Sequence, residues 1–266
     1  MRERIVMKTI FPTSLLAAAV TLLAGCATTP RQQSPPVAAN PAILRVGITP
    51  NAPPMIFKEG GQVVGVEAEL AQALGRESGR QVVFVELKWE DLIDALAENK
   101  VDVIMSSMSI TPARKYRIAF TNPYLRVGQM ALVRSEDKYK FTMDLAGTAK
   151  RGIGVERGTT AESLLRQEFP RAKVKYFHSG DDAAAALASR SVDVFVSDSP
   201  MIWYLGGRYE SKGLTVAPML LTEEYLGWGV RRADDGLLEA ANAFLQKSQA
   251  NGELNRILRR WMPGFQ

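Results

Sequence analysis

The segment ALAENKVDVIMSS at residues 95–107 returns later in the chain as ALASRSVDVFVSD at residues 186–198. Each copy has a helix-like start, a polar turn, a strand-like apolar run that contains one aspartate, and a small polar pair at its end. Ligands in open α/β sheets bind at the carboxyl ends of the strands. We therefore expect two similar α/β lobes, with Ser106-Ser107 and Ser197-Asp198 facing one cleft.

Outward from the first copy, short apolar runs alternate with stretches of helical spacing, which predicts parallel sheet in an α/β fold. The predicted strands and helices of the first lobe lie at residues 44–48, 67–76, 82–85, 90–98 and 101–105. The expected architecture is two Rossmann-like lobes joined by a two-strand hinge. The first lobe would comprise residues 43–131 and 229–266, and the second residues 134–224.

The N-terminus has the features of a lipoprotein signal. Basic residues precede an apolar stretch at residues 14–23, which is too short to span a bilayer and is typical of a signal peptide. The sequence Leu-Ala-Gly-Cys then ends at Cys26, the single cysteine, and resembles a bacterial lipobox. Residues 1–25 are therefore predicted to be cleaved, and Cys26 to carry the lipid.

The segment after the predicted lipid site, residues 26–42, is rich in proline, alanine and polar side chains. Such a composition cannot bury enough apolar surface to fold, so we expect a flexible tether. The chain would then be anchored on the periplasmic side of a bacterial membrane. Ala27, directly after the cysteine, favours the outer membrane.

The overall composition excludes several functions. The formal net charge of +5 is spread along the chain without a basic stripe, so nucleic acid is not expected as a partner. The sequence contains no Cys/His cluster, glycine-rich phosphate loop or nucleophile elbow, so no metal, cofactor or catalytic residue is predicted. His178, the only histidine, has no evident nucleophile or metal-ligand spacing around it.

The strongest candidate site is the segment Ser109-Ile-Thr-Pro-Ala-Arg114, between a predicted strand and a predicted helix. Thr111 suits the N-cap and Pro112 the first helical position. Free N–H groups at a helix start favour an anion, and the planar guanidinium of Arg114 can grip a carboxylate with two hydrogen bonds. The segment predicts a carboxylate site, although a solvated helix start with a surface arginine has the same pattern.

Two features of the second lobe could complete this site. Thr159 and Glu162 have the spacing of a capping box, which needs no functional explanation, but the N–H groups there could also reach the carboxylate. Asp198, at a predicted strand end, could receive an ammonium group. Together with Arg114, these features match the two charged ends of a free α-amino acid.

From residue 44 to the Trp261-Met262-Pro263 end, the chain resembles the type II periplasmic solute-binding proteins of bacterial extracellular family 3, which capture amino acids for ABC importers. The resemblance rests on LRVG at 44–47, VGVE at 64–67, VDV at 101–103, SITPAR at 109–114, FTNPY at 120–124 and GTT at 158–160. It implies a monomer that binds a small amino acid or related zwitterion and works with the membrane subunits of an importer.

The resemblance also implies roles for individual residues. Arg114 and Ser109 would hold the ligand carboxylate, Asp198 its ammonium group, and Trp89 would pack on its side chain, although Trp89 could instead be a core aromatic. The complete predicted ligand-binding set is Thr49, Trp89, Ser107, Ser109, Thr111, Arg114, Thr159, Thr160 and Asp198.

One departure from the family bears on the ligand. Binders of basic amino acids carry an acid and an aromatic residue just after the first strand, where this chain has Thr49 and Ala52. A buried cationic side chain would lack compensation there. The sequence therefore favours a ligand with an uncharged side chain.

Three alternative functions remain open at this point. Relatives with this fold dehydrate prephenate or arogenate, but Met201 stands where that branch is expected to carry an acidic glutamate. A sensory module that reports to a membrane partner would use the same cleft. A structural lipoprotein that binds nothing is less compatible with the presence of both Arg114 and Asp198.

Overall fold

The computed structural model describes residues 42–141 and 149–264. The predicted signal peptide at residues 1–25, the predicted lipid site Cys26 and the tether up to residue 41 lie outside the described residues. Within the described ranges, no helix has the length and apolar character needed to cross a membrane.

Strands and helices alternate through most of the chain. The strands are β1 (Ile43–Ile48), β2 (Asn51–Ala52), β3 (Ile56–Glu59), β4 (Gln62–Val64), β5 (Gln81–Glu86), β6 (Val103–Ile104), β7 (Ala119–Phe120), β8 (Leu125–Val127), β9 (Gln129–Arg134), β10 (Ile153–Glu156), β11 (Val174–Phe177), β12 (Val194–Asp198), β13 (Leu214–Leu220), β14 (Glu224–Leu226) and β15 (Gly229–Val230). The helices are α1 (Val66–Ser78), α2 (Leu92–Ala97), α3 (Pro112–Arg117), α4 (Thr160–Glu168), α5 (Gly180–Ala188), α6 (Ser199–Arg208), α7 (Asp235–Ala250) and α8 (Glu253–Trp261).

The first lobe is built on a five-stranded sheet with the order β5-β1-β6-β15-β7. β1 pairs in parallel with β5 and β6, whereas β15 runs antiparallel to both of its neighbours. Leu44, Val46 and Ile48 of β1 are fully buried, and Phe244 and Leu258 of the C-terminal helices pack in the same core. The C-terminal helices therefore pack on the core of the first lobe.

The second lobe has a sheet of the same plan, with the order β11-β10-β12-β9-β13. β10 pairs in parallel with β11 and β12, and β9 runs antiparallel to β12 and β13. In both lobes the repeated segment forms a helix, a tight turn and the third parallel strand of its sheet. The predicted pair of similar α/β lobes is confirmed.

The lobes are connected by β8 and β14, which form a two-stranded antiparallel sheet. All of β9 pairs within the second sheet, so residues 129–131, which the sequence-based boundary assigns to the first lobe, lie in the second. Gly128 stands at this crossing, where a Cβ atom would come within 2.0 Å of the Thr222 carbonyl oxygen. The two connections pass each other too closely for any larger residue.

Candidate ligand-binding cleft

A cavity of about 700 Å³ lies between the lobes, at the carboxyl ends of their parallel strands. Its volume falls in the range usual for small-molecule sites. All of the predicted ligand-binding residues except Thr111 line it: Thr49, Trp89, Ser107, Ser109 and Arg114 from the first lobe, and Thr159, Thr160 and Asp198 from the second.

Arg114 is positioned by the first turn of α3. Its backbone N–H donates to Thr111 Oγ1 at 3.2 Å, so Thr111 is the N-cap of this helix and acts from outside the cavity wall. The guanidinium donates to the Ser109 carbonyl oxygen at 2.8 Å and to the Gly158 carbonyl oxygen of the second lobe at 3.3 Å. Burial lowers the pKa of Arg114, and the negative charges of Asp198 and Glu224 oppose this effect. An arginine side chain nevertheless stays charged in a protein.

Trp89 forms one wall of the cleft and contacts both the arginine and the second lobe. The Arg114 guanidinium lies 5.1 Å from the centroid of the indole ring, which is a cation–π distance. The indole N–H donates to the Gly158 carbonyl oxygen at 3.0 Å. Gly158 has a φ of 73°, and a Cβ atom there would lie 3.2 Å from the ring, so this approach requires glycine.

The capping box predicted in the second lobe is confirmed. Thr159 Oγ1 accepts the N–H of Glu162 at 3.4 Å, and Glu162 Oε2 accepts the N–H of Gly158 at 2.7 Å. The N–H of Gly158, which the sequence analysis considered as a possible donor to the ligand, is therefore bonded to Glu162 instead. The Thr159 and Thr160 side chains remain at the cavity wall.

Asp198 ends β12 and lies among other hydrogen-bond acceptors. The Gln129 amide donates to Asp198 Oδ1 at 2.6 Å, to Thr160 Oγ1 at 2.9 Å and to Glu224 Oε1 at 3.1 Å. Burial and Glu224 raise the pKa of Asp198 to about 7, against the opposing effects of Gln129 and Arg114. In the part of the chain that the structure describes, Gln129 Oε1 and Glu224 Oε2 are buried without a partner. This wall therefore has more acceptors than donors.

Ser107 is held at the cleft by a buried carboxyl group behind it. Its φ is 57°, and its N–H donates to Glu67 Oε2 at 2.6 Å. The Tyr124 hydroxyl donates to the other oxygen of Glu67. Glu67 is fully buried, and burial raises its pKa to about 7 against these hydrogen bonds. On the neighbouring strand, the Thr49 hydroxyl is already bonded to the Leu87 carbonyl oxygen at 2.9 Å.

Several residues of the site were missed by sequence reasoning. Glu156 ends β10 and lines the cavity, and its Oε1 accepts a hydrogen bond from Asn51 Nδ2 at 3.1 Å. The apolar run Ile153-Gly154-Val155 is a local signal for a strand, and Glu156, the residue after it, could have been found from that signal. Gln129 and Glu224 belong to the crossing segments and had no local signal.

Comparisons with known proteins agree with this architecture. The family model described as bacterial extracellular solute-binding proteins, family 3, matches residues 44–264. ABC transporter arginine-binding protein 1 of Escherichia coli (strain K12) is 28% identical over 228 residues, which cover 83% of this chain and 90% of that protein.

Two solved structures are also similar. The ancestral amino acid-binding protein AncCDT-1, a precursor of cyclohexadienyl dehydratase, has a TM-score of 0.76 and 33% identity, covering 83% of this chain and 95% of that chain. An ancestral arginine-binding protein bound to arginine has a TM-score of 0.77 and 30% identity, covering 83% and 98%. The similarity extends over both lobes and both connections.

Proposed function

The chain belongs to the bacterial extracellular solute-binding proteins, family 3, and from this premise we propose that it binds a free amino acid or a related zwitterion and delivers it to an ABC importer. One observation carries the proposal: Arg114 of the first lobe and Asp198 of the second line the same cavity. A guanidinium and a carboxylate on facing walls complement the carboxylate and the ammonium group of one zwitterion.

The ligand carboxylate would bind at the Arg114 guanidinium. Ser107 and Ser109 of the first lobe and Thr160 of the second also line the cavity, and hydroxyl groups are neutral donors. Because Arg114 donates to the carbonyl oxygen of Ser109 within its own lobe, its orientation is restricted before the cleft closes on the ligand. The planar guanidinium can bind both oxygens of a carboxylate through parallel charge-assisted hydrogen bonds.

The ligand ammonium group would bind at Asp198, where acceptors outnumber donors. An ammonium group has three N–H donors. Gln129 and Glu224 each have one buried oxygen without a partner, and the Gln129 amide is bonded to both Asp198 and Glu224, so these acceptors are neighbours of Asp198. A cation there would also lower the raised pKa of Asp198 and keep the carboxylate charged. The surplus of acceptors thus supports a cationic donor at this wall.

Delivery would depend on closure of the cleft around the ligand. A zwitterion held by Arg114 and Asp198 contacts both lobes, so it binds the closed arrangement more tightly than the open one. The two crossing strands, β8 and β14, are the natural hinge. An importer that recognises the closed arrangement would then select the loaded protein.

The proposal is tested by a thermal-shift screen against the free amino acids, followed by calorimetry on the best ligand. Arg114→Ala should weaken binding by roughly 2–5 kcal/mol, or about 30- to 4000-fold, because it removes one partner of a buried charge pair. The matched control is Arg117→Ala, on the same helix but exposed and paired with Asp94. Undiminished affinity in Arg114→Ala, or loss of affinity in Arg117→Ala, would contradict the assignment.

We infer further that the chain binds its ligand without transforming it. The relatives described above are binding proteins, and AncCDT-1 is an amino acid-binding precursor of a dehydratase. Met201 lines the cavity, and its sulfur accepts a hydrogen bond from Ser197 at 3.5 Å; a thioether cannot donate a proton. Incubation with prephenate should leave the compound unchanged, and catalytic turnover would refute this inference.

The family is extracellular, and the finer location that we propose is a lipid anchor at Cys26, with the outer membrane favoured by Ala27. The support is the lipobox-like sequence and the tether composition of residues 26–42. Replacing Cys26 with alanine in the expressing bacterium should move the protein from the membrane to the soluble fraction. Continued sedimentation of Cys26→Ala with membranes would contradict the anchor.

A further inference from the structure

The cleft holds a carboxyl group that the binding of a simple zwitterion does not use. Glu156 ends β10 and lines the cavity. Its neighbours raise rather than lower the pKa, to about 8, through burial and the nearby Asp198. Among residues 42–141 and 149–264, its hydrogen bond comes from the neutral amide of Asn51 at 3.1 Å, and no lysine or arginine pairs with it.

Three lysine and arginine residues line the cavity, Lys88, Arg114 and Arg157, and in the described part of the chain no salt bridge joins any of them to Glu156. Arg114 is bonded to the Ser109 and Gly158 carbonyl oxygens and faces Asp198 and Glu224. The Arg157 guanidinium lies 3.9 Å from the centroid of the Tyr176 ring, on an exposed residue at the cavity edge. Glu156 therefore has no positive partner of its own.

A zwitterion with a neutral side chain cannot supply a positive partner for Glu156, because it adds one positive and one negative charge. Its carboxylate would pair with Arg114 and its ammonium group with Asp198, which leaves Glu156 uncompensated in a closed cleft. Without a second cation, Glu156 must either keep its proton or stay in the cleft as an unpaired carboxylate, which is unfavourable. A ligand that supplies a second cation lets Glu156 ionise and form a charge-assisted hydrogen bond. In the described part of the chain, no group of acidic, histidine or cysteine side chains has the arrangement of a metal site.

Resting on the proposed function, we infer that Glu156 is the specificity residue for the ligand side chain and selects amino acids that carry a second positive charge, of the arginine and lysine class. The sequence favoured an uncharged side chain because residues 49 and 52 are not acidic. The structure supplies the carboxyl group from the opposite lobe, at the end of β10. Asn51, directly before residue 52, orients it.

The test compares L-arginine with L-citrulline, which has nearly the same shape but a neutral ureido group. In calorimetry on the wild-type protein, arginine should bind about ten- to a hundredfold more tightly than citrulline, as expected for a hydrogen bond to a charged partner. Glu156→Gln, which preserves shape and removes the charge, should bring the two affinities to within about threefold. The control Glu168→Gln changes the same net charge at an exposed position of the same lobe and should keep the wild-type preference.

The outcomes separate this inference from the proposed function. If the wild-type protein binds neutral amino acids through Arg114 but shows no preference for arginine, or if Glu156→Gln keeps the preference, the role of Glu156 is refuted while the proposed function stands. If no amino acid binds the wild-type protein, both are refuted. A melting temperature of Glu156→Gln close to the wild-type value would show that the variant is folded.

Discussion

At the scale of single residues, the cleft is characterised by acids that hold their protons. Glu67, Glu156 and Asp198 have pKa values raised to about 7, 8 and 7, in each case first by burial. Glu67 lies behind the wall, and the other two end parallel strands of the second lobe. The charges of Glu156 and Asp198, which line the cavity, therefore depend on what enters the cleft.

These raised pKa values predict that the stability of the folded protein decreases as the pH rises. The pKa values in the unfolded chain are about 4, so the folded protein holds the protons more tightly. The stabilisation is complete below about pH 4 and is lost as pH rises through about 7 to 8. Dialysed protein should melt several degrees higher at pH 5.5 than at pH 8.5, a difference on the order of a few kcal/mol.

Circular dichroism melts across this pH range would check the prediction. Asp102 and Asp193, whose pKa values are lowered, titrate below the range and do not interfere. Glu156→Gln should make the dependence on pH shallower. A melting temperature that stays constant or rises toward pH 8.5 would be inconsistent with these acids being protonated in the folded protein.

Glu67 provides a second test at this scale. Glu67→Ala would leave the Ser107 N–H and the Tyr124 hydroxyl buried without an acceptor. Each orphaned group costs about 1–3 kcal/mol, so urea denaturation should show a loss of about 2–6 kcal/mol in the free energy of unfolding. Glu77→Ala, on the same helix, removes only an exposed ion pair with Lys247 and should cost less than about 1 kcal/mol. Equal losses in the two variants would refute this role.

At the scale of elements, the two copies of the repeat share the same turn conformation and the same aspartate–backbone hydrogen bond. Asn99 and Arg190, at equivalent positions of the two turns, both have a φ of 61°. The aspartates that follow also correspond: Asp102 accepts the N–H of Arg45 at 2.9 Å, and Asp193 that of Arg151 at 2.7 Å. Each aspartate thereby ties the repeat to the start of the neighbouring parallel strand.

The two aspartates should differ in their effect on stability. Asp193 pairs with Arg134, whose side chain is 7% exposed, whereas the Arg45 partner of Asp102 is 35% exposed. Removing one member of a buried pair is more costly than removing one near the surface. In urea denaturation, Asp193→Ala should lose at least about 1 kcal/mol more than Asp102→Ala. The reverse order would refute the comparison.

Local pattern predicted most of these elements. The predicted helix at 67–76 is observed as Val66–Ser78, and the predicted strand at 82–85 as Gln81–Glu86. The predicted strand at 101–105 is shorter, Val103–Ile104, and Asp102 before it is bonded to Arg45. Glu156 directly follows the apolar run at residues 153–155. Gln129 lines the cleft and is bonded to Glu224 only because the chain crosses between the lobes, and local periodicity does not predict which residues that crossing brings together.

At the scale of the whole molecule, the lobes differ in continuity. The second sheet is formed within residues 129–220, whereas the first takes β15 from beyond the second lobe and inserts it between β6 and β7. Helices α7 and α8 also cover the first core. The first lobe is therefore complete only after the chain has passed to the second lobe and returned.

This topology predicts unequal behaviour of fragments. A fragment of residues 128–222 should show a cooperative thermal transition, because it contains its whole sheet and its own buried clusters. A fragment of residues 43–127 should remain unfolded, because it lacks β15 and the C-terminal helices. Circular dichroism melts of the two fragments would test this prediction. A cooperative transition in the fragment of residues 43–127 would contradict it.

The position of Trp89 has a practical consequence. Of the four tryptophans, Trp228 is in the first core, Trp261 packs partly buried against that core and Trp203 is on the surface. Among the described residues, Trp89 is the one tryptophan that lines the cavity. Its indole touches both the arginine and the opposite lobe. Any molecule that enters changes the surroundings of this one fluorophore, so the unlabelled protein carries a built-in optical reporter of its own occupancy.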